Sequence, residues 1–438
     1  MSEIEVRVAQ SDAEVTAAGA LTAEAYHADR LIDDGDEYRA ELLDARRRAD
    51  EATLLVAVLT PEPGHDAVVV GTVTLAPVGT SYAEIAEPGE VEIRMLAVAP
   101  EARRRGVAEA LVRACLREAV VLGAQRVVLS TLEAMVTAHR LYERLGFVRV
   151  PERDWHHEEI VLHVLTWTVP EAPGATVETA TWRPLVVHDV AGWQAGASGG
   201  FTRRANSVVA TDEPEDVAAR IAEVEDLYAR AGRPSIFRIG RESRPAGLGT
   251  ILGARGYDRV SGAIVMVRTD LAALADAPVD ASGSSLVTVR AADEPDDDWV
   301  RCWLDVKAGG SAPDRSTAVA ILAGSPALYL TAYAPTDPSG SDPDGEPVGV
   351  IRAAFADDWV ALACLVVAGH ARRRGVAQTL TRAAVRAATA RGARRAFLQV
   401  EHANAGAIAL YEALGFSPAE SYDYVARPVR KLAGAVLG

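Results

Sequence analysis

Apolar and polar positions alternate over Ile4 to Val8, which predicts a strand, and helical periodicity then predicts helices over Ala13 to His27 and Glu37 to Ala49. Apolar, β-branched runs predict strands at Thr53 to Leu59, Val68 to Leu75 and Val91 to Ala99. A helix over Val107 to Leu122, a strand over Arg126 to Thr131, a helix over Ala134 to Leu145 and late strands follow. The same succession resumes from Val287. Within it, Thr336 to Pro347 is so rich in Asp, Pro, Gly and Ser that it reads as a mobile hairpin loop. Mixed α/β is the fold class that this order of elements implies.

The second succession copies the first. Arg103-Arg104-Arg105-Gly106-Val107-Ala108 recurs as Arg372-Arg373-Arg374-Gly375-Val376-Ala377, 269 residues on, and Leu141-Tyr142-Glu143 with Leu145-Gly146-Phe147 recurs at the same offset. Residues 94–147 laid over 363–416 without a gap give 27 identities in 54 positions, so two homologous domains share one polypeptide. Pro, Gly, Ala and Ser in Val169 to Glu178 and in Asp276 to Ser285 place linkers, giving domains at 1–168, 177–275 and 285–438. The middle stretch has helical patterns near Pro214 to Gly232 and Gly247 to Gly256, and strand-like runs at Asn206 to Ala210 and Ala263 to Val267. It reads as a degenerate third lobe, because Leu252-Gly253-Ala254-Arg255-Gly256-Tyr257 resembles the later motif while nothing before it matches the arginine bend.

Composition narrows the function. The chain has 438 residues and a net charge of −16, which disfavours nucleic acid and anionic membranes as partners. Cys115, Cys302 and Cys364 lie far apart without metal-ligand spacing, so reduced, buried thiols and no metal centre are expected. No apolar run reaches the ~20 residues of a membrane span, and the amino-terminal residues do not read as a secretory signal. A cytoplasmic location is therefore expected. Monomer and homo-oligomer both stay open.

The arginine bend carries the chemistry. A strand, a short turn and then Arg103-x-x-Gly106-x-Ala108 opening a helix put free amides at the positive end of a helix dipole, beside residues too small to obstruct a phosphate. The same holds at Arg372, Gly375 and Ala377.

With these motifs the chain resembles the GCN5-related N-acetyltransferases (GNAT), whose loop is written Arg/Gln-x-x-Gly-x-Gly/Ala. The resemblance covers nearly all of residues 1–168 and 285–438, while residues 176–438 resemble an actinobacterial two-lobed GNAT family, some of whose members are proposed to acetylate glutamate. It implies two GNAT folds flanking a degenerate GNAT-like lobe. It further implies acetyl-CoA as cosubstrate, its diphosphate held by Arg103, Arg104, Arg105, Gly106, Val107 and Ala108 in one copy and by Arg372, Arg373, Arg374, Gly375, Val376 and Ala377 in the other. The pantetheine arm would pair with the backbone of Leu96, Ala97 and Val98, or of Leu365, Val366 and Val367. Tyr142 and Tyr411 would be general acids for the departing thiolate, and Glu92 the base of the first copy. The second copy has Ala361 in place of Glu92, leaving Glu401, Asp357, Asp358 or a water relay as substitutes. Conversely, Asn404 matches a coenzyme-contacting residue where the first copy has Met135.

On the acceptor side, Arg203 and Arg204 could grip a carboxylate, although adjacent strand residues point to opposite faces and at most one would reach a cleft. His139 reads as surface or cap chemistry. The expected function is direct acetyl transfer to a primary amine of a small molecule or amino acid. The alternative is that one copy only binds coenzyme or shapes its neighbour.

Overall fold

The computed structural model describes residues 4–33, 35–60, 67–157, 160–276, 287–307, 315–335 and 345–428. The chain divides into two compact units, Met1–Val169 and Pro170–Gly438. Residues 336–344 of the expected hairpin loop and 277–285 of the second expected linker lie outside the described residues.

The first unit runs β1 (Ile4–Val8), α1 (Asp12–Ala28), α2 (Tyr38–Leu43), α3 (Ala45–Glu51), β2 (Thr53–Leu59), β3 (Val68–Pro77), β4 (Glu90–Val98), α4 (Val107–Val121), β5 (Arg126–Leu132), α5 (Val136–Arg144), β6 (Val148–Arg149), β7 (Trp155–His157) and β8 (Ile160–Thr168). The sheet order is β1-β2-β3-β4-β5-β8-β6, with β7 on β8. Strand β2 is buried on both faces, which explains its unbroken apolar run. Leu55, Ala57 and Leu59 meet the α4 core, and Leu54, Val56 and Val58 meet α1 and α3. The helix expected over Glu37 to Ala49 is broken at Asp44, whose carboxylate accepts from the Arg47 amide at 3.1 Å and so starts a new helix.

Helix α4 lies close on the sheet because Gly71 has no side chain: a Cβ there would stand 2.6 Å from Val107 Cγ1 and 3.0 Å from Leu111 Cδ1. Gly349 faces Val376 and Leu380 in the same way, at 3.3 and 3.1 Å. Gly71→Ala is therefore expected to cost about 1–3 kcal/mol by overpacking, and Gly349→Ala less, as read from urea unfolding midpoints.

The second unit begins with α6 (Gly174–Thr181), β9 (Val186–Val190), β10 (Trp193–Ala197), β11 (Val208–Val209), α7 (Val217–Arg230), β12 (Ser235–Ile239), α8 (Leu248–Ala254), β13 (Asp258–Arg268) and α9 (Leu271–Asp276). It continues with β14 (Thr288–Ala292), α10 (Asp297–Lys307), α11 (Arg315–Leu322), β15 (Ala327–Ala334), β16 (Glu346–Ala356), β17 (Trp359–Val367), α12 (Val376–Ala390), β18 (Arg395–Glu401), α13 (Ala405–Ala413) and β19 (Ser417–Arg427). One sheet of eleven strands, ordered β14-β15-β16-β17-β18-β13-β19-β12-β11-β10-β9, holds the whole unit.

That order contains an exchange. Beside β5 in the first unit lies β8, the last strand of its own copy. Beside the equivalent β18 lies β13, which belongs to the middle stretch, while β19 crosses to pair with β12. The middle lobe and the second copy thus complete each other's ladders, and neither has its full set of backbone partners alone. The stretch Val169 to Glu178, expected to be a linker, corrects in part. Pro173 and Gly174 open α6, and Glu178 within it is buried against Arg238 at 2.8 Å.

Candidate active sites

Each copy has a bulge in the strand before its arginine bend. Met95 takes φ 54° and Cys364, its counterpart at the 269-residue offset, takes φ 57°. The bulges turn the strands away from their parallel neighbours. β4 pairs with β5 only through Glu90–Ile93, and β17 with β18 only through Trp359–Leu362. Ala97 and Val98 remain paired to β3 on the other side, as Val366 and Val367 are to β16. The predicted pantetheine segments, Leu96 to Val98 and Leu365 to Val367, therefore border an open slot where a ligand's amides can replace the missing strand.

At the end of each slot the chain bends through two left-handed residues, Arg104 (φ 60°) with Gly106 (φ 83°), and Arg373 (φ 59°) with Gly375 (φ 78°). No side chain caps α4 or α12 at these ends, and a Cβ on Gly106 would meet nothing within 4 Å. Unpaired helix amides facing open space suit a diphosphate. The first arginine of each bend is occupied otherwise. Arg103 Nε donates to the Val98 carbonyl at 3.4 Å and its guanidinium forks onto Asp29 at 2.8 and 3.0 Å, and Arg372 Nε donates to Val367 at 3.1 Å. Arg103 and Arg372 hold the bend to the strand, whereas Arg104, Arg105, Arg373 and Arg374 are exposed.

Tyr142 and Tyr411 occupy corresponding places on α5 and α13, each buried with its ring 5.6 or 5.7 Å from Phe147 or Phe416. Burial pushes both phenols well above their ordinary range, with Cys115 and Cys364 respectively adding to it. Both stay protonated at working pH, the state a proton donor requires. Asn404 caps α13, its Oδ1 accepting from the Ala407 amide at 3.1 Å. His139 Nε2–H donates to the Leu132 carbonyl at 2.9 Å.

The carboxylates of the first unit separate into two roles. Burial would raise Glu90, but hydrogen bonds from Arg153, the Glu87 amide and Arg126 outweigh it and hold the carboxyl below its ordinary range. Glu92 has no exposed surface. Its Oε2 accepts from the Ile85 amide at 2.9 Å, while Oε1 has no hydrogen bond and lies 3.6 Å from Arg94. Burial raises Glu92, outweighing the Ile85 amide and Arg94.

In the second unit a cavity of about 330 Å³ opens beside the bulge at Ala363 and Cys364. Trp182, Trp303, Tyr422 and Tyr424 wall it, and Arg203, Arg204 and Glu401 supply its charge. Of the substitutes considered for the missing base, only Glu401 lines this cavity, where Arg203 pairs with it at 3.2 Å. Asp358 is held by Arg395 at 2.7 and 3.0 Å before β17 begins, and Asp357 sits in the same turn. Cys364 is only partly buried, against the expectation for the thiols.

Arg203 and Arg204 correct the sequence reading. They precede β11 in a loop and a short 3-10 turn rather than a strand, so both reach the cavity. The bulges, Trp182 and Asn206 were missed. Nothing in one strand's residues announces a bulge, and only the recurrence of the following bend could have pointed to it.

Slots ending at a helix amino terminus, one in each unit, fit an acyl-coenzyme A transferase of the GNAT kind. A family model described as "Probable histone acetyltransferase Rv0428c C-terminal" matches residues 177–425, more than half the chain, and one described as "Acetyltransferase (GNAT) family" matches residues 20–147. The chain belongs to the GNAT family, as a tandem protein, and is an acetyltransferase dependent on acetyl-CoA. It is 28% identical over 246 residues to an uncharacterized N-acetyltransferase, YobR, of Bacillus subtilis, covering 56% of this chain and 94% of the relative. Among solved structures, a GCN5-related N-acetyltransferase from Kribbella flavida matches at 19% identity and TM-score 0.42, covering 60% of this chain and 99% of the other. A tandem GNAT protein from the clavulanic acid biosynthesis pathway matches at 14% identity and TM-score 0.33, covering 98% and 99%. Among the described residues no cluster suited to a metal ion occurs, and no helix is long and apolar enough to cross a membrane.

Proposed function

We propose that the chain transfers an acetyl group from acetyl-CoA directly to a primary amine of a small molecule, with both copies holding coenzyme. The observation that carries this reading is the doubled device: an open half-strand running into a bend of left-handed residues, found twice at one sequence offset. Arg104 to Ala108 and Arg373 to Ala377 present amides to the diphosphate, and the slots at Leu96 and Leu365 align the arm. The amine nitrogen bonds to the thioester carbonyl carbon as the carbon–sulfur bond breaks. The thiolate takes the tyrosine proton, and the amine gives its proton to a base, Glu92 in the first copy. Met95 stands where the second copy has Cys364, so a thiol at that place is no part of a chemistry common to both.

Ala361 in place of Glu92 supports a second reading in which only the first copy turns over. Tyr142→Phe and Tyr411→Phe, which keep the rings against Phe147 and Phe416, separate the two. Each is expected to lower kcat for its own copy by about 10²-fold or more as a lost general acid, with acetyl-CoA affinity unchanged. Coenzyme A release over an amine panel, with product masses, is the measurement. If only Tyr142→Phe has an effect, the second copy is silent; if neither does, the tyrosines are structural.

A further inference from the structure

The cavity of the second unit has an arginine built into it that is stacked on an aromatic ring but, among the described residues, has no carboxylate partner. Arg204 is half-buried, with its guanidinium 4.9 Å from the centre of the Trp182 ring, and among the described residues no carboxylate pairs with it. The neighbouring charges are committed. Arg203 is taken by Glu401 and by Ser261 Oγ at 2.6 Å, and Glu178, which with Arg204 borders a small adjoining cavity, pairs its charge with Arg238 and is bound through Oε2 by Arg238 and Gln399, while its Oε1 has no hydrogen bond. The lining thus carries one uncompensated positive charge in a chain whose net charge is −16.

The loop that presents Arg204 is held rigidly. Asn206 donates to the carbonyls of Phe201 and Thr202, both at 2.8 Å, and accepts from the amides of Ser198 at 2.8 Å and Gly200 at 2.9 Å, so all its capacity is spent on one turn. Thr202 sits at φ 60°, costly for a β-branched residue, and its hydroxyl accepts from Trp182 Nε1 at 3.3 Å. Phe201 closes edge-on against Trp303. A strained, fully satisfied loop that fixes an unpaired planar cation on an aromatic platform is a receptor for a planar anion.

We propose that the acceptor of the second copy is an amine that also bears a carboxylate, bound through Arg204 on the Trp182 face. This rests on the acetyl-transfer reading above for the amine, but not for the anion. The cavity's size suits an amino acid carrying an acetyl group. A protein lysine, whose own carboxyl is an amide, leaves Arg204 unpaired.

The test uses the full chain carrying Gly106→Glu, so that turnover reports the second copy. α-Amino acids, ω-amino acids, the corresponding amides and an end-blocked lysine peptide are compared by kcat/KM, and binding of N-acetyl amino acids against their amides is measured by calorimetry. Carboxylated amines are expected to exceed their amides on the order of 10–100-fold, with the α or ω preference giving the spacing of amine and carboxylate. Arg204→Gln is expected to erase that ratio through KM, and Arg204→Lys to restore part of it, with acetyl-CoA affinity unchanged. Amides or the blocked peptide used as well as the acids, or a ratio indifferent to Arg204, overturns the proposal. Arg204-dependent binding of N-acetyl amino acids without any amine turnover upholds the anion site while sinking the acetyl-transfer reading. Absence of both binding and preference sinks the anion site.

Discussion

Gly375→Glu is expected to remove acetyl-CoA from the second copy and leave the first loaded. Gly106→Glu should do the reverse, and the double variant should bind none. At Gly106 the side chain has room, since a Cβ there meets nothing within 4 Å, so that variant is not threatened by collision. The residues lie at φ 83° and 78°, however, where any side chain carries strain of roughly 1–2 kcal/mol. The larger effect is electrostatic. A carboxylate at the amino terminus of α4 or α12 takes the free amides for itself and repels the diphosphate they would hold. Losing two charge-assisted hydrogen bonds at about 1.5–3 kcal/mol each weakens binding on the order of 100-fold or more. Gly106→Ala, which carries the strain without the charge, should weaken it much less. Calorimetry should count two coenzymes per wild-type chain and one in each single variant. Two sites surviving in Gly375→Glu would remove the second bend from the binding site.

The repeat made the two bends legible from sequence because they are local: glycine, small residues and arginines at fixed spacing dictate the left-handed turn wherever they occur. The strands Ile4–Val8 and Thr53–Leu59 were equally legible from alternation and β-branching. What stayed hidden is pairing. β13 and β19 carry strand signals of the same kind, and nothing within either says that one inserts beside β18 while the other crosses to β12. Arg204 was misread for a related reason. The pattern of its neighbours reads as a strand, whereas Asn206 spends four hydrogen bonds folding them into a turn. A side chain that organises backbone around itself leaves no periodicity to detect. Val169 to Glu178 does hold a boundary, between Val169 and Pro170, but its proline and glycine also mark the start of a helix that the linker composition hid.

Glu92→Gln should lower kcat of the first copy by about 10²–10⁴-fold, the usual worth of a positioned base, without loosening acetyl-CoA. The reasoning lies in the burial of the carboxyl. With no exposed surface and an unbonded Oε1, Glu92 is raised by desolvation, so it reaches the basic form only as pH climbs through that raised value. In a Gly375→Glu background the rate should therefore have an acid limb above the ordinary carboxyl range, absent from Glu92→Gln. Stability must move the other way. Because the folded state holds this proton more tightly than the unfolded one, the wild type loses stability as pH rises from the ordinary carboxyl value through the raised one. Glutamine is free of that penalty, so the variant should gain on the wild type at neutral pH, with the gap closing in acid. Rate profiles and urea unfolding across the same pH series read both signs. A carboxyl serving only to hold the Ile85 amide would give neither the rate loss nor the missing limb, because glutamine's carbonyl can accept that bond equally well.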